Sequence, residues 1–330
     1  MLGTWAERTG SDTLMAAHTT LVSGTQILQT VREDLARYRT RIQPHQRQVT
    51  IVRFETGASD PPQWRWRMEA CRISAEQKVR AFEHLGFVVQ HLALAAQTSR
   101  HEFAAIMKAR NQDSATAAVI VQLPVPGRLR PLVGLLDPVK DLDGLLKGRS
   151  PQVGCATAEG ICRLVAPFTD PAAVVAVVGA RGFVGGDVVR LLSAAGRRVT
   201  ELDVGDDLRR VADADIVIST AGSPHLLTGD HLRAHHRLVV DAGFSPRPGG
   251  VVFGDVHPQA VTIPQYLTPV PGGVGPVEMA VLMERIVRQE IDPGLAAWRL
   301  PALPYRRRGQ MVTPPGHPPP PPQRGGGRAR

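Results

Sequence analysis

The stretch Val174-Val-Ala-Val-Val178-Gly179-Ala-Arg-Gly182-Phe-Val-Gly185 reads as a buried β-strand that runs straight into a glycine-rich turn. A helix over Val184–Ala195 follows, then a strand over Val199–Asp203. Strand, glycine turn and helix in that order are the context in which a dinucleotide is held. Glycine permits the tight turn and the close approach of backbone to pyrophosphate, and the helix N-terminus favours negative charge. The spacing is GxxGxxG, looser than GxGxxG, so a plain strand–helix turn is the alternative. Asp203 strengthens the binding reading, because an acid at the end of the second strand can accept from a ribose 2′-hydroxyl. The candidate cofactor residues here are Gly179, Ala180, Arg181, Gly182, Val184, Gly185 and Asp203.

The same alternation extends in both directions. Downstream, strands are expected at Ile216–Thr220, Leu238–Asp241 and near Tyr266–Val270, with a last helix at Val277–Gln289. Upstream come a helix at Thr20–Ile42, a strand at Val49–Phe54 and a loop at Gly57–Trp66. A helix at Ser74–Leu85 follows, with Ser74-Ala-Glu-Gln77 as its capping box. Then come a strand at Phe87–Leu94, a helix at Glu102–Arg110, a buried strand at Ala117–Leu123, a loop at Asp137–Ser150 and a helix at Thr157–Val165. Such alternation points to an α/β protein with parallel sheets flanked by helices.

Length and composition bound the rest. At roughly 150 residues per domain, 330 residues suggest two domains. With 43% hydrophobic and 21% charged residues, the chain can bury a sizeable core. The net charge of +9 looks like a nucleic-acid signal, but residues 301–330 hold six arginines and no acid, leaving only +3 on the first 300 residues. That segment also holds nine prolines and Gly325–Gly327, so it is expected to be a disordered tail, and no specific nucleic-acid partner is expected. No apolar run is long enough to span a membrane. Residues 1–20 lack the pattern of a secretory signal, and Met15 is a candidate start. The cysteines (Cys71, Cys155, Cys162) show no CxxC spacing, so neither a disulfide framework nor a metal site is expected, and a cytoplasmic location fits.

Three further motifs carry chemistry. Pro269-Val-Pro-Gly-Gly-Val-Gly-Pro276 has prolines that fix φ and glycines that allow close packing, so it is either a rigid connector or a surface shaped against a ligand. Gln122 is the only polar residue in an apolar run ending Val121-Gln-Leu-Pro-Val-Pro126, and a buried amide needs partners. Asp137–Gly144 gathers acids in a loop, with Asx-turns as the plain reading and no calcium-loop spacing.

Taken together, Val121–Pro126, Lys140-Asp-Leu-Asp-Gly144, Gly179–Gly185, Val240-Asp-Ala-Gly243, Gly254-Asp-Val256 and Thr268–Pro276 resemble, in order and spacing, the bifunctional methylenetetrahydrofolate dehydrogenase/methenyltetrahydrofolate cyclohydrolase family. The resemblance covers about residues 20–292. It implies an N-terminal α/β folate domain (20–150 with helix 276–292) and a Rossmann-type NAD(P)-binding domain (151–272), followed by the tail at 301–330. It implies tetrahydrofolate one-carbon derivatives as substrates, two activities in a cleft between the domains, and a homodimer. The family's catalytic lysine, eight residues before a Gly-Phe pair, matches Lys78; its glutamine matches Gln122; its folate-binding aspartate matches Asp143. Ser74, Gly272, Gly273 and Pro276 fall at substrate-binding positions, and Phe244 at a cofactor position.

The departures are specific. Ser74 stands where the family has a tyrosine against the folate ring, and the preceding segment, with Trp64 and Trp66, is longer than usual. Cys155-Ala-Thr-Ala158 replaces Pro-Cys-Thr-Pro; Ala180, Arg181 and Asp187 replace the Arg, Ser and Pro of the cofactor turn; Glu278 replaces a threonine. The resemblance implies NADP, whereas Asp203 argues for NAD. Lys78 is expected in the first turn of a capped helix, whose positive end disfavours the ammonium, and it is the candidate general base of hydrolysis or the group that orients the water. Two other classes stay open: a family paralogue that binds folate or nucleotide in a regulatory role without turnover, and a Rossmann-type oxidoreductase acting on a different small substrate.

Overall fold

Strands that are apolar along their whole length belong in sheets covered on both faces. β5 (Val174–Val178) is of this kind, and β7 (Ile216–Ser219) and β8 (Leu238–Asp241) are apolar up to their last residue; all three are buried throughout except at Val174. They form the centre of an all-parallel six-stranded sheet in the order β1 (Thr20–Leu21), β11 (Tyr266–Leu267), β8, β7, β5, β6 (Arg198–Leu202). Helices α5 (Ala156–Val165) and α6 (Phe183–Ala194) pack with this sheet. The computed structural model describes residues 19–308 apart from Ser59. The tail beyond Arg308 and the candidate start at Met15 lie outside the described residues.

A second parallel sheet has the order β3 (Val88–Leu94), β2 (Gln48–Phe54), β4 (Thr116–Val121). It is flanked by α3 (Pro62–Leu85) and α4 (Arg100–Gln112), and Ser99 caps α4 by accepting from the Glu102 N–H. Two helices join the sheets. α1 (Gly24–Leu35), followed by the short α2 (Arg39–Ile42), packs along α7 (Val274–Glu290), which also packs on α3 and α5. Arg285 of α7 is fully buried and donates to the carbonyls of Leu142 (2.9 Å) and Gly154 (2.7 Å) and to Glu159 Oε2. It ties the linker between the sheets to α5. A small antiparallel hairpin, β9 (Ser245–Pro246) and β10 (Val252–Phe253), lies beside α3.

Three expectations are corrected. The helix expected from Thr20 starts at Gly24, where Ser23 caps it, and Thr20–Leu21 is an edge strand of the six-stranded sheet. The helix expected from Ser74 starts at Pro62, after Pro61, so Trp64 and Trp66 lie on a helix rather than in a loop. Proline fits the first helical turn because its missing N–H would have no intrahelical partner. Finally, within residues 301–308, expected to be disordered, Leu303 and Tyr305 pack against the core. Tyr305 lies against Phe168 and under the Arg237 guanidinium, and the Pro304 carbonyl accepts from Tyr266 Oη at 2.7 Å.

Candidate active site

The C-terminal ends of β4 in one sheet and of β7, β8 and β11 in the other face one cleft of about 900 Å³. Lys78, in the C-terminal third of α3, enters it only 1% exposed. Its Nζ lies 3.0 Å from Ser74 Oγ, 3.1 Å from Gln122 Oε1 and 2.5 Å from Glu278 Oε1. Ser74, one helical turn before Lys78, uses its hydroxyl on the amine rather than on a helix end. Gln122, just past β4, also donates from Nε2 to the Cys71 carbonyl, so its amide is fixed at both ends.

Three acceptors around one nitrogen match the three N–H groups of an ammonium. Burial opposes the charge on Lys78, but Glu278 and then Asp143 outweigh it and hold the amine above lysine's ordinary value. The expectation of a lysine base deprotonated by a helix N-terminus is therefore corrected: Lys78 lies far from the first turn of α3 and is an ammonium. Burial pushes the neighbouring Cys71 thiol up to about 11 and raises that of Cys155, so both are neutral.

Asp143 is placed by its own motif. Asp141 accepts from the N–H groups of Gly144, Leu145 and Leu146, closing a tight loop, and Lys140 donates to the carbonyls of Arg110, Asn111 and Asp113. Gly144 has φ +79°, and a Cβ there would lie 2.4 Å from the Gly154 carbonyl oxygen. Asp143 is thereby presented to the cleft at the start of α5, accepting from the Ala156 N–H.

The opposite wall is the Pro269–Pro276 turn. Gly272 has φ +103°, and its carbonyl accepts from the Thr25 N–H at 3.0 Å, docking α1 on the turn. Gly272, Gly273, Pro276 and Ser74 all line the cleft. Of the candidate nucleotide residues, Val184 and Phe244 line it, while Gly179, Ala180, Arg181, Gly182 and Gly185 belong to the turn into α6 and Asp203, just past β6, lies against that turn. A Cβ on Gly185 would lie 2.1 Å from the Gly179 carbonyl oxygen. Asp203 accepts from the Arg181 N–H (2.7 Å) and the Val204 N–H (2.8 Å), which hold its carboxyl below the usual range. The Arg181 side chain pairs with Asp206 at 3.2 Å. Asp187 accepts from the Cys155 N–H and pairs with Arg190 and Lys147, fastening α6 to the start of α5.

Sequence profiles for the two domains of tetrahydrofolate dehydrogenase/cyclohydrolase match most of the chain, the catalytic domain over residues 22–143 and the NAD(P)-binding domain over residues 155–292. The chain belongs to this family. A "Bifunctional protein FolD" of Synechococcus sp. (strain RCC307) is 35% identical over 233 residues, which are 66% of this chain and 80% of that protein. Solved structures share the fold. The bifunctional enzyme FolD of Campylobacter jejuni superposes with TM-score 0.69 at 24% identity, covering 82% of this chain and 98% of its own. The Trypanosoma brucei enzyme, complexed with NADP and an inhibitor, gives 0.69 at 23%, covering 82% and 97%. The NAD-dependent dehydrogenase of Saccharomyces cerevisiae gives 0.61 at 13%, again covering 82% and 97%.

As a family member the chain has two distinctive walls. Trp66 lines the cleft under the Arg247 guanidinium of the β9–β10 hairpin, whereas Trp64 packs into the core beneath β2. Arg247 had no motif to reveal it. Glu278 was visible in sequence only as a substitution within a recurring motif; its partner Lys78 lies 200 positions away. Among the described residues, no group of three or more His, Cys, Asp or Glu is placed to hold a metal, and no helix is long and apolar enough to cross a membrane.

Proposed function

We propose that this protein oxidises 5,10-methylenetetrahydrofolate to 5,10-methenyltetrahydrofolate with NAD(P) and hydrolyses the product to 10-formyltetrahydrofolate. The observation that carries this reading is the single cleft in which Lys78, Gln122 and Asp143 face the start of α6 and the Gly272–Pro276 turn. Its substrates are tetrahydrofolate one-carbon derivatives. Residues 20–150 with 276–292 supply the folate side and residues 151–272 the nucleotide side. The working form is a cytoplasmic homodimer, by family resemblance.

The turn at 179–185 fits a dinucleotide. Gly179 takes a left-handed conformation (φ +82°) and Gly185 packs so closely on its carbonyl that a Cβ would clash, so the chain turns tightly into α6, whose first-turn N–H groups lack intrahelical partners and suit a phosphate. Bound nicotinamide supplies the hydride acceptor. The protein's own part in that step is alignment, because the substrate's nitrogen lone pairs already favour a resonance-stabilised methenyl cation. Asp143 accepts hydrogen bonds from the pterin and fixes the folate. Gln122 and Lys78 order the groups around the one-carbon unit. The Ser74 substitution leaves Lys78 and Gln122 connected, since Ser74 itself holds Lys78.

The test is to mix purified protein with methylenetetrahydrofolate and either nucleotide and to follow methenyl absorbance. Formation and decay of the methenyl species support the function, and absence of both with either nucleotide rejects it.

A further inference from the structure

The hydrolytic step needs a group that takes a proton from water as it adds to the methenyl carbon. Lys78 is not that group: all three of its N–H directions are taken by acceptors, and it is held as an ammonium. Asp241 also lines the cleft, but its carboxylate accepts from the N–H groups of Gly243, Asp255 and Val256. Asp143 is committed to the folate in the reading above. Glu278 remains. It stands in the first turns of α7, lines the cleft, keeps its side chain 14% exposed, and is fixed by Lys78 through one oxygen. A threonine at this position, as the family has, offers no carboxylate.

We propose that Glu278 is the catalytic proton acceptor of the hydrolytic reaction in this protein, with Lys78 as the ammonium that positions it. The inference rests on the function proposed above. The water oxygen bonds to the methenyl carbon while one of its protons passes to the Glu278 carboxylate. The neutral carbinolamine then breaks its carbon–N5 bond. N5 takes the proton from Glu278, the hydroxyl proton returns to the carboxylate, and the carbon–oxygen double bond of the 10-formyl group forms. Glu278 finally releases one proton to solvent, which balances the loss of the cation's charge. Lys78 keeps its protons throughout, and Gln122 holds it in place.

Glu278 pairs with Lys78 of α3 and acts on Cys155 at the start of α5, while Asp143, from the loop before α5, and Cys71 of α3 act on Lys78. Both thiols are pushed upward by burial, so neither ionises near neutrality. A carboxylate acceptor therefore gives a hydrolysis rate, corrected for the reaction without enzyme, that is level from about pH 7 to about pH 9.5, whereas a lysine acceptor gives a rate that climbs across that range.

The experiment measures dehydrogenation and hydrolysis separately in wild type and Glu278→Gln. The expected result is a fall of about 100-fold or more in the ratio of hydrolysis to dehydrogenation in Glu278→Gln, with the level pH profile in wild type. The profile needs no variant and stands if Glu278→Gln fails to fold. Hydrolysis retained within about threefold in Glu278→Gln, a rate that climbs with alkalinity, or a wild type that dehydrogenates without hydrolysing would each overturn the role of Glu278. A wild type that forms no methenyl species strikes the function itself, and the inference falls with it.

Discussion

Replacing Asp203 should change which nucleotide the protein uses. The carboxylate is pinned at the end of β6 by two backbone N–H groups and held below its usual range, so it stays ionised and has little freedom to turn away. A unit charge about 4 Å away interacts with it by about 1 kcal/mol in water and about 4 kcal/mol in the effective dielectric near a protein surface. The 2′-phosphate of NADP meets that repulsion, while the free 2′-hydroxyl of NAD donates to the same oxygens. Arg181 is the counterweight, but its side chain already pairs with Asp206. Screening by salt trims the repulsion, because the site is open to solvent. We expect wild type to use NAD at least as well as NADP. Asp203→Asn keeps an acceptor for one of the two backbone N–H groups and removes the charge. It should move the ratio of kcat/KM values toward NADP by about 10- to 100-fold, corresponding to about 1.4–2.8 kcal/mol. Asp203→Ser should move it in the same direction. The assay is initial rate against concentration for both nucleotides. A wild type preferring NADP tenfold or more, with the ratio unmoved in both variants, would show that Asp203 does not face the ribose.

Three other outcomes follow from the packing. Gly185→Ala would place a methyl 2.1 Å from the Gly179 carbonyl oxygen and 2.7 Å from Thr220 Oγ1; it should cost about 3 kcal/mol in denaturant unfolding and abolish nucleotide binding. A chain ending at Leu300 should be about 2 kcal/mol less stable than one ending at Arg308, because it loses the Tyr305 contacts with Phe168 and Arg237 and the hydrogen bond from Tyr266; equal melting temperatures would refute this. Burial, with His235 beside it, pushes His236 down to about 3, so the folded state keeps it neutral while the unfolded chain takes up a proton below about pH 6.5. Its contribution to stability is present above that pH and is lost, by up to about 1.4 kcal/mol per unit, as pH falls toward 3. Asp241, raised to about 6 by burial, works in the opposite direction below pH 6. The check is therefore the difference in pH slope between wild type and His236→Asn, which should be shallower.

The central strands of the six-stranded sheet could be read because each is apolar up to a small or polar residue at its end, Gly179, Ser219 or Asp241; Val174–Val178 and Leu238–Asp241 fall where the pattern places them. The turn at 179–185 was legible for the same reason, since it follows a strand and opens a helix. α3 was misread because the capping pattern at Ser74 is local. The same serine in mid-helix turns its hydroxyl to Lys78, while Pro61 and Pro62 supply the real start. Thr20–Leu21 is too short to show a period, and its strand character depends on β11, more than 240 positions away. Motif matching brought Lys78, Gln122 and Asp143 into view, but the charge state of Lys78 depends on Glu278, a contact between helices that no local spacing encodes. The packing of Tyr305 escaped notice because arginines and prolines dominate its neighbourhood in sequence.

The most direct test of the whole account is a single time course. Purified protein is mixed with 5,10-methylenetetrahydrofolate and NAD or NADP, and the methenyl absorbance and the reduced nucleotide are recorded together. The account predicts reduced nucleotide that accumulates steadily, with methenyl absorbance that rises and is then held below it by hydrolysis to 10-formyltetrahydrofolate. No reduced nucleotide with either cofactor would contradict it.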